Sequence, residues 1–439
     1  MGRLALGRLA LGRLALGRLA LGRLALDSDM ARSRSERDGR RKTGLLYIPA
    51  MAVTTATIQP DAPYERVGVP TLGFRNYWYP VLPARRLGRR PRAITIMGEQ
   101  IVLFRDGGKI HALEDRCPHR GIRLSAGACK FPGSGTISCA YHGWTFRGAD
   151  GSLAAALMEG PNAPIERKIR VQPYAVTERA GLIWLFVGDM DAVPLEDDLP
   201  DWIHDRDRFF QITYAIDYRC NWRAIVDNWT NDHHAAFVHG YSPELIFQPH
   251  LPFAQTLEPQ VLADGGGMKF PGRDGVRSAE FPELGRYPRR TWHRFMKPTG
   301  RGASRDLLSD KARDIYKVKD PYQTRLPGLI LIGRPHGEYT LVQWAVPLDA
   351  GTTRLFNINC FRRHGWLRGI YDRAHYVLWR RWAHDVVFSG QDKRILEQLI
   401  PGEERLSRTD IGVIAWRKFA GGNARKPDAG ATRLRAAGD

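Results

Sequence analysis

An α+β fold is the class this sequence predicts, and three observations carry it. Short β-rich runs crowd residues 93–113, broken by Gly-Glu and Asp-Gly-Gly turns. Strand-like runs return at 209–216, 339–346 and 353–359. Helical segments stand at roughly 218–238 and 366–399, without the regular alternation that builds a parallel sheet. A chain of 439 residues has room for two domains, so a compact β domain followed by an α+β domain on an antiparallel sheet is expected.

Residues 2–26 are five copies of Gly-Arg-Leu-Ala-Leu. Arginine with leucine and alanine suggests a targeting helix, but a period of five spreads the arginines about 140° apart around a helix and leaves no apolar face. A low-complexity, disordered extension over 1–70 is expected, with the true start at Met30 or Met51. Order is expected from Leu72-Gly73-Phe74-Arg75-Asn76-Tyr77-Trp78-Tyr79-Pro80. Strands at 93–97, 101–104 and 109–113 follow, and Gly181–Val187 closes the first domain, over 72–190. The second domain should span 195–420, with a basic, Pro/Gly-punctuated insertion at 276–327 and a basic disordered tail at 421–439.

The net charge is +20, of which +7 lies in residues 1–45 and +4 in 417–439. The middle keeps +9, which suits a solvated surface or a docking face for an acidic electron donor better than a nucleic-acid site. No run of 18 or more apolar residues occurs, so no integral membrane segment is expected. Five scattered cysteines (Cys117, Cys129, Cys139, Cys220, Cys360) point to a reducing, cytoplasmic setting.

The chemistry begins at Cys117-Pro118-His119 and Cys139-Ala140-Tyr141-His142, separated by 19 residues. Two thiolates and two imidazoles suit a Rieske [2Fe–2S] cluster, in which two Cys hold one iron and two His the other. Zinc also takes Cys2His2, but usually from a close Cys pair followed by a close His pair. Here each segment supplies one Cys and one His, and Gly121 and Gly143 can adopt the positive φ that a tight clamp requires.

The words Cys117-Pro118-His119-Arg120-Gly121 and Cys139-Ala140-Tyr141-His142-Gly143-Trp144-Thr145-Phe146 resemble the Rieske domains of ring-hydroxylating and demethylating oxygenases. Respiratory Rieske proteins carry an extra disulfide cysteine in each loop, where this chain has Ile122 and Tyr141. The spacer is slightly longer than usual for the family, with the surplus expected in the turn-rich stretch 130–135.

A second motif supplies a destination for electrons. His234 and His239 form an H-x4-H pair inside the frame Asn221-Trp222-x4-Asp227-Asn228, which is similar to the mononuclear-iron frame of the same family. Two His and one carboxylate hold Fe(II) while leaving positions open. An i,i+5 pair lies about 140° apart on an ideal helix, so both rings reach one ion only where the helix distorts or ends. His233 is a weaker substitute. The resemblance nominates Asp392 as third ligand, with Asp385 and Glu397 as fallbacks. It also places a bridging carboxylate three residues before the first histidine, where this chain has Asn231, with Asp232 one residue on. One of these two is expected to couple the metal centres.

The resemblance covers roughly 72–420. It implies an oxygenase α subunit with an N-terminal all-β Rieske domain and a helix-grip (START-like) catalytic domain ending in a long helix. It further implies a head-to-tail homotrimer taking NAD(P)H-derived electrons from a separate ferredoxin or flavin reductase, and O2 activation for hydroxylation or demethylation of an aromatic or polycyclic substrate. The Phe74-Arg75-Asn76-Tyr77-Trp78-Tyr79-Pro80 opening leans towards the phthalate/vanillate-demethylase-like branch. The rivals are a Rieske electron-transfer protein and a catalytically silent oxygenase-like subunit.

Overall fold

The computed structural model describes residues 64–426 except 65, 162–163, 166–167, 240–241, 244–252, 278–279, 287–321, 334–338 and 401. Most of the expected 1–70 extension, most of the 276–327 insertion and the tail beyond 426 therefore lie outside the described residues.

The first half is built from three small antiparallel sheets. Strand β1 (Tyr77–Pro83) opens one of them. Strands β2 (Arg92–Ile96), β3 (Glu99–Asp106) and β4 (Lys109–Glu114) form a meander whose turns fall where the Gly-Glu and Asp-Gly-Gly pairs predicted them. A hairpin-based sheet of β5 (Thr136–Ser138), β6 (Trp144–Arg147) and β7 (Leu153–Ala156) carries the second Cys–His loop. Strand β8 (Pro173–Tyr174) pairs with β4, while β9 (Val176–Arg179) and β10 (Leu182–Val187) join β1. All six residues of β10 are buried, as an apolar run covered on both faces should be.

The second half centres on a seven-stranded antiparallel sheet. Its longest strands are β11 (Phe209–Tyr218), β12 (Tyr339–Pro347) and β13 (Thr353–Arg362), with β13 paired along its whole length to β11 and from Thr353 to Phe361 to β12. Helix α1 (Trp222–Thr230) is capped by Asn221, whose side-chain oxygen accepts from the Arg223 N–H. A continuous helical run over 366–396 crosses the sheet: α2 (Trp366–His375), a π-helical stretch (Tyr376–Phe388) and α3 (Ser389–Leu396). It docks through Phe210, Phe361 and Tyr376, and through the Tyr218 hydroxyl donating to the Ser389 carbonyl at 2.8 Å. The two halves share one hydrophobic core, in which Trp184 of β10 meets Trp344 of β12 edge-on at 5.1 Å.

Two boundaries differ from the sequence reading. Tyr64, Val67 and Val69 already belong to the core, upstream of residue 72, because Tyr64 stacks on Arg417 and Arg223 and donates to the buried Asp227. At the other end, helix α4 (Ile411–Asn423) runs past residue 421, and Arg425 pairs with Asp198 at 2.7 Å. The expected 218–238 helix is also shorter, because β11 runs to Tyr218 and α1 stops at Thr230.

Candidate metal centres

The two Cys–His loops fold alike. The Cys117 N–H donates to the Ile122 carbonyl and the Gly121 N–H returns to the Cys117 carbonyl, both at 2.8 Å. In the second loop Cys139 N–H donates to the Trp144 carbonyl at 2.8 Å, and Gly143 N–H returns to Cys139 at 3.2 Å. Each glycine sits four residues after its cysteine, at φ +75° and +69°. That geometry explains why C-x-H-x-G and C-x2-H-G are interchangeable: the glycine closes the loop, and the histidine occupies either of two tip positions.

The loops bring four donors together. Cys117 and Cys139 are buried, and their thiols lie within hydrogen-bonding reach of each other. The His119 and His142 ring centroids are 4.6 Å apart, and Trp144 stacks on His119 at 4.5 Å. Burial pushes the Cys117 thiol up to about 11, while the N–H groups of His119 and Arg120 pull against it. Amide donors aimed at a sulfur are what a cluster-bound thiolate needs to spread its charge. The donor set therefore fits a [2Fe–2S] cluster.

The second group is His234, His239 and Asp392, whose ligand atoms all lie within 4.8 Å of one another. The chain achieves this by breaking the helix. Asn231 leaves helical geometry (φ −132°, ψ 86°), a 3-10 turn Asp232–His234 follows, and a short helix Ala235–Val238 restarts. His234 precedes that short helix and His239 (φ −97°, ψ 2°) caps its end, so the i,i+5 pair brackets a single helical turn that ends at the second ligand.

The tautomers are fixed by their partners. His234 Nδ1 lies 2.8 Å from the Asn231 backbone carbonyl, which can only accept, so Nδ1 carries the proton and Nε2 a lone pair. His239 Nδ1 is 3.0 Å from Gln391 Oε1. Both Nε2 atoms face the same Asp392 oxygen, at 3.5 and 3.1 Å. His239 is 1% exposed, and its buried Nε2 has no hydrogen-bond partner of good geometry. Lone pairs converging on a carboxylate are repulsive without a cation between them, so these residues fit a divalent metal.

The fallback carboxylates are placed elsewhere. Asp385 is buried between Tyr376 (2.5 Å) and Asn357 (3.0 Å), and Glu397 pairs with Lys393 and accepts from the Arg219 N–H. His233 Nδ1 sits on Asn231 Oδ1 at 2.7 Å, outside the triad. The Asn231 amide donates to Asp410 at 2.6 Å, so its side chain is held by His233 and Asp410 while its carbonyl serves His234. The Asp232 side chain lies outside the described residues.

Sequence reasoning missed the residues that orient the ligands. Asn228 donates to Asp392 Oδ1 at 3.3 Å, Gln391 holds His239, and Phe388 stacks on the His239 ring at 3.6 Å. Asn228 belongs to the recognised frame, which was its available signal. The same frame explains Trp222 as core and Asp227 as the partner of Arg417 at 2.7 Å.

The Rieske [2Fe-2S] domain family matches residues 77–166. The chain is 37% identical over 309 residues to the 4beta-methylsterol monooxygenase of Methylococcus capsulatus, covering 69% of this chain and 72% of that protein. It is 28% identical over 374 residues to the terminal oxygenase component of carbazole 1,9a-dioxygenase from Metapseudomonas resinovorans, covering 80% and 90%. The terminal oxygenase of carbazole 1,9a-dioxygenase from Novosphingobium sp. KA1 superposes with a TM-score of 0.67 at 26% identity, over 83% of this chain and 96% of that one. A fluorene-bound oxygenase–ferredoxin complex of carbazole 1,9a-dioxygenase gives 0.68 at 26% identity, over 83% and 94%. The chain belongs to the Rieske-type non-haem iron oxygenases, among their terminal oxygenase components.

Proposed function

We propose that this protein receives electrons from a ferredoxin or flavin reductase and uses them to hydroxylate or oxidatively demethylate an apolar aromatic or polycyclic substrate. Cys117, His119, Cys139 and His142 hold the cluster, in a domain over 72–190. His234, His239 and Asp392 hold Fe(II), in a catalytic domain over 195–420. The carrying observation is the convergence of the His234 and His239 Nε2 atoms on one carboxylate oxygen, which a pure electron carrier would not need. Bound to these residues, the cluster supplies electrons one at a time and Fe(II) supplies O2 activation.

The chain's own residues prepare that chemistry. The Asn231 carbonyl and Gln391 keep protons on the Nδ1 atoms, and Asn228 orients the carboxylate. Phe388 covers one face of His239 against water. A head-to-tail homotrimer, with Asn231 or Asp232 coupling one subunit's iron to a neighbour's cluster, completes the reading, as does a cytoplasmic setting. Among the described residues no helix is long and apolar enough to cross a membrane.

Metal analysis tests it first: about three irons and two labile sulfides per chain are expected, against about two irons for an electron carrier. Reduced enzyme should then consume O2 with one member of a panel of aromatic acids, methoxyarenes and polycyclic compounds. Failure across the panel, with three irons present, would support the silent-subunit reading instead.

A further inference from the structure

The outer face of the 366–388 helical run carries a dense group of exposed apolar side chains. Trp366, Ile370, Leu378, Trp382 and Val386 stand every fourth residue, with Ala374 completing the row. Leu367, Tyr371 and Trp379 form a second row beside it. Trp366 is 74% exposed, Leu378 79%, Trp379 47% and Trp382 49%.

The rows stay straight because of the mixed winding. In α2 a four-residue step overshoots a 3.6-residue turn by about 40°. In the following stretch the same step falls short of the wider π turn, so the drift reverses. The three tryptophans alone show on the order of 400 Å². Five further apolar side chains take the stripe beyond the roughly 300–600 Å² of the largest patch on an ordinary monomer.

Its border is cationic. Arg363, Arg373 and Arg381 are exposed, and Arg380 is half-buried. Their guanidiniums lie over Phe210, Tyr339 and Tyr214 (Arg363 and Arg373 at 5.7 and 4.4 Å from Phe210, Arg380 at 3.8 Å, Arg381 at 5.8 Å). Stacking positions these charges without cancelling them. The acids of residues 362–390 are Asp372, paired with Arg368 at 2.9 Å, and Asp385, fully buried. A second copy docking face to face would bring like charges together. Tryptophan, tyrosine and leucine in a stripe edged by arginine match the headgroup boundary of an anionic bilayer. We propose that this face seats the enzyme on the surface of an anionic lipid bilayer, with Trp366, Trp379 and Trp382 inserted at headgroup depth. That would place the proposed oxygenase activity where strongly apolar substrates partition.

The test uses the metal-loaded full chain and vesicles of phosphatidylcholine, alone or with about 30% phosphatidylglycerol. Flotation should recover at least tenfold more protein with the anionic vesicles, and added salt should weaken binding. Leu378→Asp/Trp382→Asp should lose that binding while keeping the wild-type iron content and lipid-free sedimentation coefficient. Brominated lipid should also quench wild-type tryptophan fluorescence, which needs no variant to fold. Three outcomes would overturn the proposal: no binding, binding without quenching (a basic tail holding the chain at the surface), or a changed sedimentation coefficient in the variant, which would make the face a contact between copies.

Discussion

The His234 Nδ1 atom and the backbone carbonyl of Asn231 are 2.8 Å apart, and this pair sets the polarity of the whole second centre. A carbonyl cannot donate, so the imidazole must turn its lone pair towards Asp392. The same break that frees this carbonyl ends α1 and starts the short helical turn whose two ends carry His234 and His239. Local backbone geometry, ligand orientation and metal preference are thus one feature.

Asp392→Asn should empty that centre selectively. An amide can donate to the waiting Nε2 lone pairs and carries no charge to offset a cation. Iron should fall from about three to about two per chain. The visible spectrum of the cluster should be unchanged, and substrate-dependent O2 uptake should be lost.

Gln391→Leu should leave the cluster intact but loosen the iron. Without the acceptor at 3.0 Å, the His239 ring loses its orientation and its fixed tautomer. Losses at such supporting positions run to about 10–100-fold in metal affinity. Competition with a chelator reads this directly, and an unchanged affinity would remove Gln391 from the site.

Gly143→Ala should damage the other centre. The backbone there is left-handed (φ +69°), and a Cβ would meet Leu157 side-chain atoms at 3.0 and 3.1 Å. A penalty of about 1–2 kcal/mol in the loop should lower labile sulfide and the cluster's visible absorption. Mononuclear iron, held by other elements, should persist.

Asp198 predicts a pH dependence of stability. Burial raises its pKa to about 6, against the pull of the Trp78 N–H and Arg425. A carboxyl whose folded pKa is raised binds more protons folded than unfolded between about pH 4 and 6. Its contribution to stability therefore falls as pH rises through that window, by on the order of 2–3 kcal/mol. Asp198→Asn should flatten the wild-type Tm profile between pH 4 and 6, and an unchanged slope would contradict the assignment.

The sequence by itself determined the chemistry wherever ligands are near neighbours in the chain. Each Cys–His pair spans at most four residues, so a single loop places it, and Gly121 and Gly143 announce the loop. The meander over 92–114 was equally legible, because alternating β-branched runs and Gly turns act locally. The His234–His239 spacing also required a helix to distort or end at the pair, and one ends at His239. Tertiary structure decided the rest. Asp392 reaches the histidines only because the 366–396 run packs over β11 and β13, and Asp385 on that run and Glu397 just past its end are claimed by Asn357, Tyr376 and Lys393 instead. The order at Tyr64 and Arg425 depends on partners more than 150 residues away, beyond the reach of any local pattern. The exposed stripe belongs to both levels: the sequence supplies its tryptophans, but only the mixed winding lines them up.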